Sequence, residues 1–104
     1  MDGKAVDKLV EEVRALIEER LRIKGRSLGQ QLRRAGRLLP KRMQSEGRYL
    51  DQARVMTAHP TLGLMIDEAR LRSAHERLVE HLKGIDPKEE RKTRIIRIAA
   101  VVAF

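Results

Sequence analysis

The side chains best suited to chemistry in this chain are its three histidines, His59, His75 and His81. Two ligands on one helical face need a separation of three or four residues. His75 and His81 are six apart, so a helix turns them to different sides. The run His75-Glu76-Arg77-Leu78-Val79 opens like a zinc-protease helix, but valine stands where the second histidine must be. His75 falls instead on an apolar stripe with Leu71, Leu78 and Leu82, which predicts a hydrogen-bonded core histidine. Ser27, Ser45 and Ser73 have no motif around them, the glycines are scattered singly, and cysteine is absent. No catalytic, metal or cofactor site is expected, and the expectation is of a protein that is not an enzyme.

The chemistry that does stand out is recognition of negative charge. Advancing from Leu28 to Ala53 by the helical step of about 100° gathers Leu28, Leu32, Ala35, Leu39, Met43, Leu50 and Ala53 into one apolar stripe. On the same count Arg33, Arg34, Arg37, Lys41 and Arg48 fall on the opposite side. These five residues are the expected anion-binding set. Arginine outnumbers lysine among them, which suits contact with phosphates.

The uneven spread of charge supports that reading. The net charge is +8, yet residues 1–24 hold six basic and six acidic side chains and cancel. Residues 25–48 hold seven basic side chains against Glu46 alone. Residues 49–84 cancel again, five against five, and residues 85–104 carry five basic and three acidic. Charge concentrated in one segment argues for a patch that draws in an anionic surface. Three partners fit it: an acidic protein or membrane surface, which is favoured, or duplex nucleic acid bound through phosphates with little sequence preference. With Tyr49 and Phe104 the only aromatics, stacking on single-stranded bases is disfavoured.

The elements that must position this face are helices. A core without aromatics is built from Leu, Ile, Val, Met and Ala, and nothing alternates with period two for long. From Ala5 the face Val6, Leu9, Val10, Val13, Leu16, Ile17 and Leu21 predicts a helix over 5–24 that ends at Gly25. Leu9, Leu16 and Ile23 recur every seven residues, a spacing that also fits a homo-oligomer seam. Ser27 with Gln30 fits a capping box for the second helix. Leu39, before Pro40, predicts a break, with Pro40 opening a third helix at its first position. Gly47 is expected only to weaken that helix. After His59-Pro60, a helix from about Thr61 to Lys83 is expected to bury Leu64, Leu71, Leu78 and Leu82, with Met65, Val79 and Ile85 at its margins.

Asp86-Pro87-Lys88-Glu89 reads as a helix start, and the segment beyond is basic and then apolar. Ten residues from Ile95 to Phe104 make about 15 Å of helix, too short to cross a bilayer. Arg94, Arg97, Ile98, Val101, Val102 and Phe104 are the candidate membrane or interface contacts in this tail.

The sequence therefore predicts an all-α protein, a small antiparallel bundle of four to five helices. Its domain is expected over 1–86, with 87–104 as a C-terminal helix or tail, and the long helices 5–24 and 61–83 as an antiparallel frame. The expected function is a non-enzymatic interaction module whose basic face over 26–48 meets an anionic partner. The expected setting is cytoplasmic, with association at a membrane surface. A duplex nucleic-acid-binding protein and a self-associating structural protein are the alternatives.

Overall fold

The computed structural model describes residues 2–85, so the tail residues Arg94, Arg97, Ile98, Val101, Val102 and Phe104 lie outside it. The described chain is all-α: α1 (Gly3–Leu21), α2 (Leu28–Ala35), a 3-10 turn (Gly36–Leu38), α3 (Lys41–Thr57), a single-turn α4 (Pro60–Gly63) and α5 (Glu68–Lys83). There is no strand among the described residues.

Asp2 starts α1 by accepting the Ala5 N–H at 2.9 Å. The helix ends earlier than its apolar pattern suggested, at Arg22, which adopts the left-handed conformation with φ 58°. A non-glycine residue there costs about 1 kcal/mol. Gly25 is thus not the terminator. It admits the α2 backbone instead, since a Cβ there would lie 3.0 Å from Gln31 Cγ. With Arg22 outside helical geometry, Glu18 pairs loosely with Lys24 at 3.9 Å.

The break before Pro40 is present. Leu39 is extended, as a residue preceding proline should be, and Pro40 caps α3 from just outside its first turn. Gly36 makes the reversal with φ 50°, a conformation open to glycine. The predicted helix over 61–83 is divided in two. Asp67 accepts the Arg70 N–H and starts α5 afresh, leaving Leu64 to Ile66 in the connection. Leu64, expected in the core, is 88% exposed, and Met65 is 71% exposed.

One core joins the helices: Val6, Val10, Val13, Ile17 and Leu21 of α1, Leu28, Leu32 and Ala35 of α2, Leu39, Leu50 and Ala53, and Leu71, Ala74, Leu78 and Leu82 of α5. Met43 is only partly buried against it. Leu9, Leu16 and Ile23, the heptad-spaced residues, also lean on this core and are partly covered by it.

Contacts fix the direction of each helix. Gly3 lies beside Thr57, so α1 and α3 are antiparallel. Tyr49 meets Arg70 while Glu46 meets Arg77, so α3 and α5 are antiparallel. The bundle is antiparallel through α3. The outer helices α1 and α5 therefore run the same way, as the contacts Glu12–His75 and Arg20–Ile85 show. The antiparallel frame expected of the first and last long helices is corrected accordingly: α3 lies between them in the path of the chain.

Candidate functional site: a basic helical hairpin

The α2–turn–α3 hairpin is assembled from short-range instructions. Ser27 Oγ accepts the Gln30 N–H at 3.2 Å, and Gln30 Oε1 in return accepts the Arg26 N–H at 2.6 Å. At the other end of α2, the Gln44 side-chain amide donates to the carbonyls of Leu32 and Gly36, at 2.8 and 3.0 Å. Those carbonyls also accept the backbone N–H groups of Gly36 and Leu39, so Gln44 is a second donor to each and ties α3 to the end of α2. Between these two ends, Leu32 packs directly onto Gly47, where a Cβ would sit 2.6 Å from Leu32 Cδ2. Gly47 is a contact that only a bare α-carbon allows, not merely a weak point of the helix.

Gln31 locks the hairpin to α1. It is 1% exposed, and its amide donates to the Arg14 and Ile23 carbonyls while its oxygen accepts from Arg14 Nε at 3.1 Å. Arg14 also donates to the Gly25 carbonyl at 2.7 Å. The connection between α1 and α2 is thereby pinned to both helices by one buried amide.

Arg33, Arg34, Arg37, Lys41 and Arg48 are all exposed, on the side away from Leu28, Leu32, Ala35, Leu39 and Leu50. Arg34 donates to the Lys24 carbonyl at 2.8 Å. Arg33, Arg37, Lys41 and Arg48 have no carboxylate partner among the described residues. Arg42 joins them, exposed in the first turn of α3. The sequence count missed it because one continuous helical phase through Pro40 puts residue 42 beside the apolar stripe. The break frees it.

The acids of the hairpin are withdrawn from its surface. Glu46 is 4% exposed and turns into the α3–α5 interface, where Arg70 reaches it at 2.7 Å and Arg77 at 3.3 Å. The hydrogen bond that Arg70 donates to Glu46 raises the Arg70 pKa above its ordinary value, against the opposing effect of burial. The Arg70 guanidinium also lies over the Tyr49 ring, 4.5 Å from its centre. Asp51 pairs with Arg54 within α3. Glu46 lies in line with the apolar stripe, and a carboxylate at such a position needs a cationic partner. That was the available signal for this triad.

His75 is not enclosed in the core. Its side chain is 15% exposed, and Nε2 meets Glu12 Oε2 of α1 at 2.8 Å; Glu68, on its own helix, pairs with Arg72. His59 is exposed and His81 half-buried, and no group of ligating side chains comes together among the described residues. His81 lines an open cleft of about 580 Å³ with Arg42, Met43, Arg77, Glu80, Gly84 and Ile85. No described helix is long and apolar enough to cross a membrane.

Comparison of the chain with protein-family models, with curated proteins and with solved structures returns no match.

Proposed function

We propose that the protein is a non-enzymatic interaction module that docks on a phosphate-bearing anionic surface through the outer face of its α2–α3 hairpin. One observation carries this reading: the hairpin's acids are consumed internally while its cations are not. Glu46 is spent on Arg70 and Arg77, and Asp51 on Arg54. Arg33, Arg37, Lys41, Arg42 and Arg48 remain exposed. A merely solvated helix face gains from acids interspersed among its bases. This one instead projects a field of one sign, which raises the local concentration of anions. The arginines add planar donors that match phosphate oxygens.

The test is the triple variant Arg33→Glu, Arg37→Glu, Lys41→Glu. Binding to vesicles containing phosphatidylserine should weaken by about 1 kcal/mol or more for each charge changed. Binding to duplex DNA, measured in parallel, reports the other phosphate-bearing partner. There, wild-type affinity would fall with salt at a log–log slope of about −0.9 per phosphate contacted, and the variant would flatten it. A variant that binds both targets as the wild type does would show the face to be solvent-facing surface only.

A further inference from the structure

A second exposed feature lies at the end of the bundle remote from Pro40. From Val55 to Ile66 the chain carries no Asp, Glu, Lys or Arg, although 37% of the sequence is charged. This stretch holds the large apolar side chains most open to water: Val55 at 51%, Leu62 at 41%, Leu64 at 88% and Met65 at 71%. They protrude where α4 folds back against the end of α3, with Gly63 beside Thr57. The nearest following acids are engaged, Asp67 as the α5 cap and Glu68 with Arg72.

This tip is continuous with the basic face. Lys41, Ser45, Arg48, Gln52 and Val55 are all exposed and spaced by four, three, four and three residues, so they form one row along α3. The row begins cationic, and about 10.5 Å beyond Arg48, two helical turns, it becomes apolar. Leu62 of α4, and Leu64 and Met65 just after it, follow Val55 in the chain and are likewise exposed.

We infer that the surface recognised by the basic hairpin is an anionic lipid bilayer, into which Leu64 and Met65, with Val55 and Leu62, insert as an apolar wedge. The inference rests on the proposed role of the basic hairpin and deepens it. Cations beside protruding aliphatic residues match the two layers of a membrane interface, phosphates outside and acyl chains just beneath. The segment itself has no Asp, Glu, Lys or Arg with which to specify a protein partner by ion pairing, and Asp2, brought near it by the Gly3–Thr57 contact, is engaged as the α1 cap. Duplex nucleic acid takes an apolar wedge only by unstacking its base steps, whereas acyl chains accept Leu64 and Met65 without that cost.

The chain has no tryptophan, so Leu64→Trp introduces a single reporter. With phosphatidylcholine vesicles containing phosphatidylserine, its emission should shift to the blue and be quenched by lipids brominated in the acyl chains. Phosphatidylcholine alone should give neither effect. In the otherwise wild-type chain, Leu64→Ser with Met65→Ser should weaken vesicle binding at least about tenfold, as burial of such side chains implies, while leaving DNA binding unchanged. If the protein sediments with anionic vesicles but the tryptophan is neither shifted nor quenched, the wedge is overturned and the charge-based reading stands. If vesicle binding survives Arg33→Glu, Arg37→Glu, Lys41→Glu, the basic-face reading fails. No vesicle binding at all, or a serine variant that alters only sedimentation mass, would overturn the bilayer and, in the second case, assign the tip to a second copy of the chain.

Discussion

Leu32 of α2 rests on the α-carbon of Gly47 in α3, so closely that a Cβ would fall 2.6 and 2.8 Å from its two methyl carbons. Alanine is the better helix former by up to about 1 kcal/mol, so propensity alone predicts that Gly47→Ala stabilises the protein. Leu32 is 2% exposed and has little room to move. Overpacking of this kind costs about 1–3 kcal/mol, and the expected outcome is net destabilisation near 1 kcal/mol. Denaturant unfolding checks it. Leu32→Ala in the same chain should remove the penalty of Gly47→Ala, a coupling that a double-mutant cycle measures.

Glu46→Ala should destabilise by about 1–2 kcal/mol, less than the ~3–5 kcal/mol of a fully enclosed pair, because Arg70 and Arg77 keep access to water. Arg70 stays charged throughout the neutral and alkaline range. Its pKa is raised, so its contribution is complete below the ordinary guanidinium value and is lost only as pH climbs beyond that. The difference between wild type and Glu46→Ala should therefore be flat from neutral pH to mildly alkaline pH in thermal melts.

Gln31→Ala removes the amide that serves Arg14 and the Ile23 carbonyl, and leaves those groups without it in a tight space. The expected cost is about 1–3 kcal/mol. A structural signature should accompany it. Limited proteolysis between Arg22 and Ser27 should accelerate more than cleavage elsewhere, since that connection loses its anchor.

Zinc should leave the melting temperature unchanged at neutral pH, because a ligand that binds the folded state must stabilise it. His75 already has Glu12 at 2.8 Å, and no third ligand is near among the described residues. A zinc-dependent rise lost on His75→Ala would contradict this.

Arg42→Glu, added to the triple reversal of Arg33, Arg37 and Lys41, should weaken binding to phosphatidylserine vesicles by about a further 1 kcal/mol. Folding should respond little, within about 0.5 kcal/mol for each of these exposed positions. Coincident far-ultraviolet circular dichroism of variant and wild type checks the second half.

Most of the core was legible because burial follows apolar periodicity whether or not the helix is continuous. Leu28, Leu32, Ala35, Leu39, Leu50 and Ala53 are buried as the stripe predicts, although the chain reverses at Gly36 to Pro40. The same single phase concealed Arg42 and set Glu46 among aliphatic residues without its partners. Those partners, Arg70 and Arg77, lie 24 and 31 residues away and no local pattern specifies them. The end of α1 was misplaced because Arg22 takes a conformation that sequence reserves for glycine. Leu64 looked like core, with Met65 at its margin, since the spacing suited one long helix. The clue against it was Asp67, a cap inside the supposed helix.

The shared direction of α1 and α5 has a consequence for how the protein assembles. Joining Glu12 to His75 closes a loop of 63 residues, and Arg20 to Ile85 one of 65. Gln44, by contrast, reaches Leu32 and Gly36 across 12 and 8 residues. Loop entropy must be met before distant contacts can repay it, so contacts near in sequence form sooner. The hairpin is accordingly expected to acquire hydrogen-exchange protection early in refolding, and the α1–α5 seam late. In a chain that grows from its N-terminus, the cationic surface is complete before the helix that closes the core has been made.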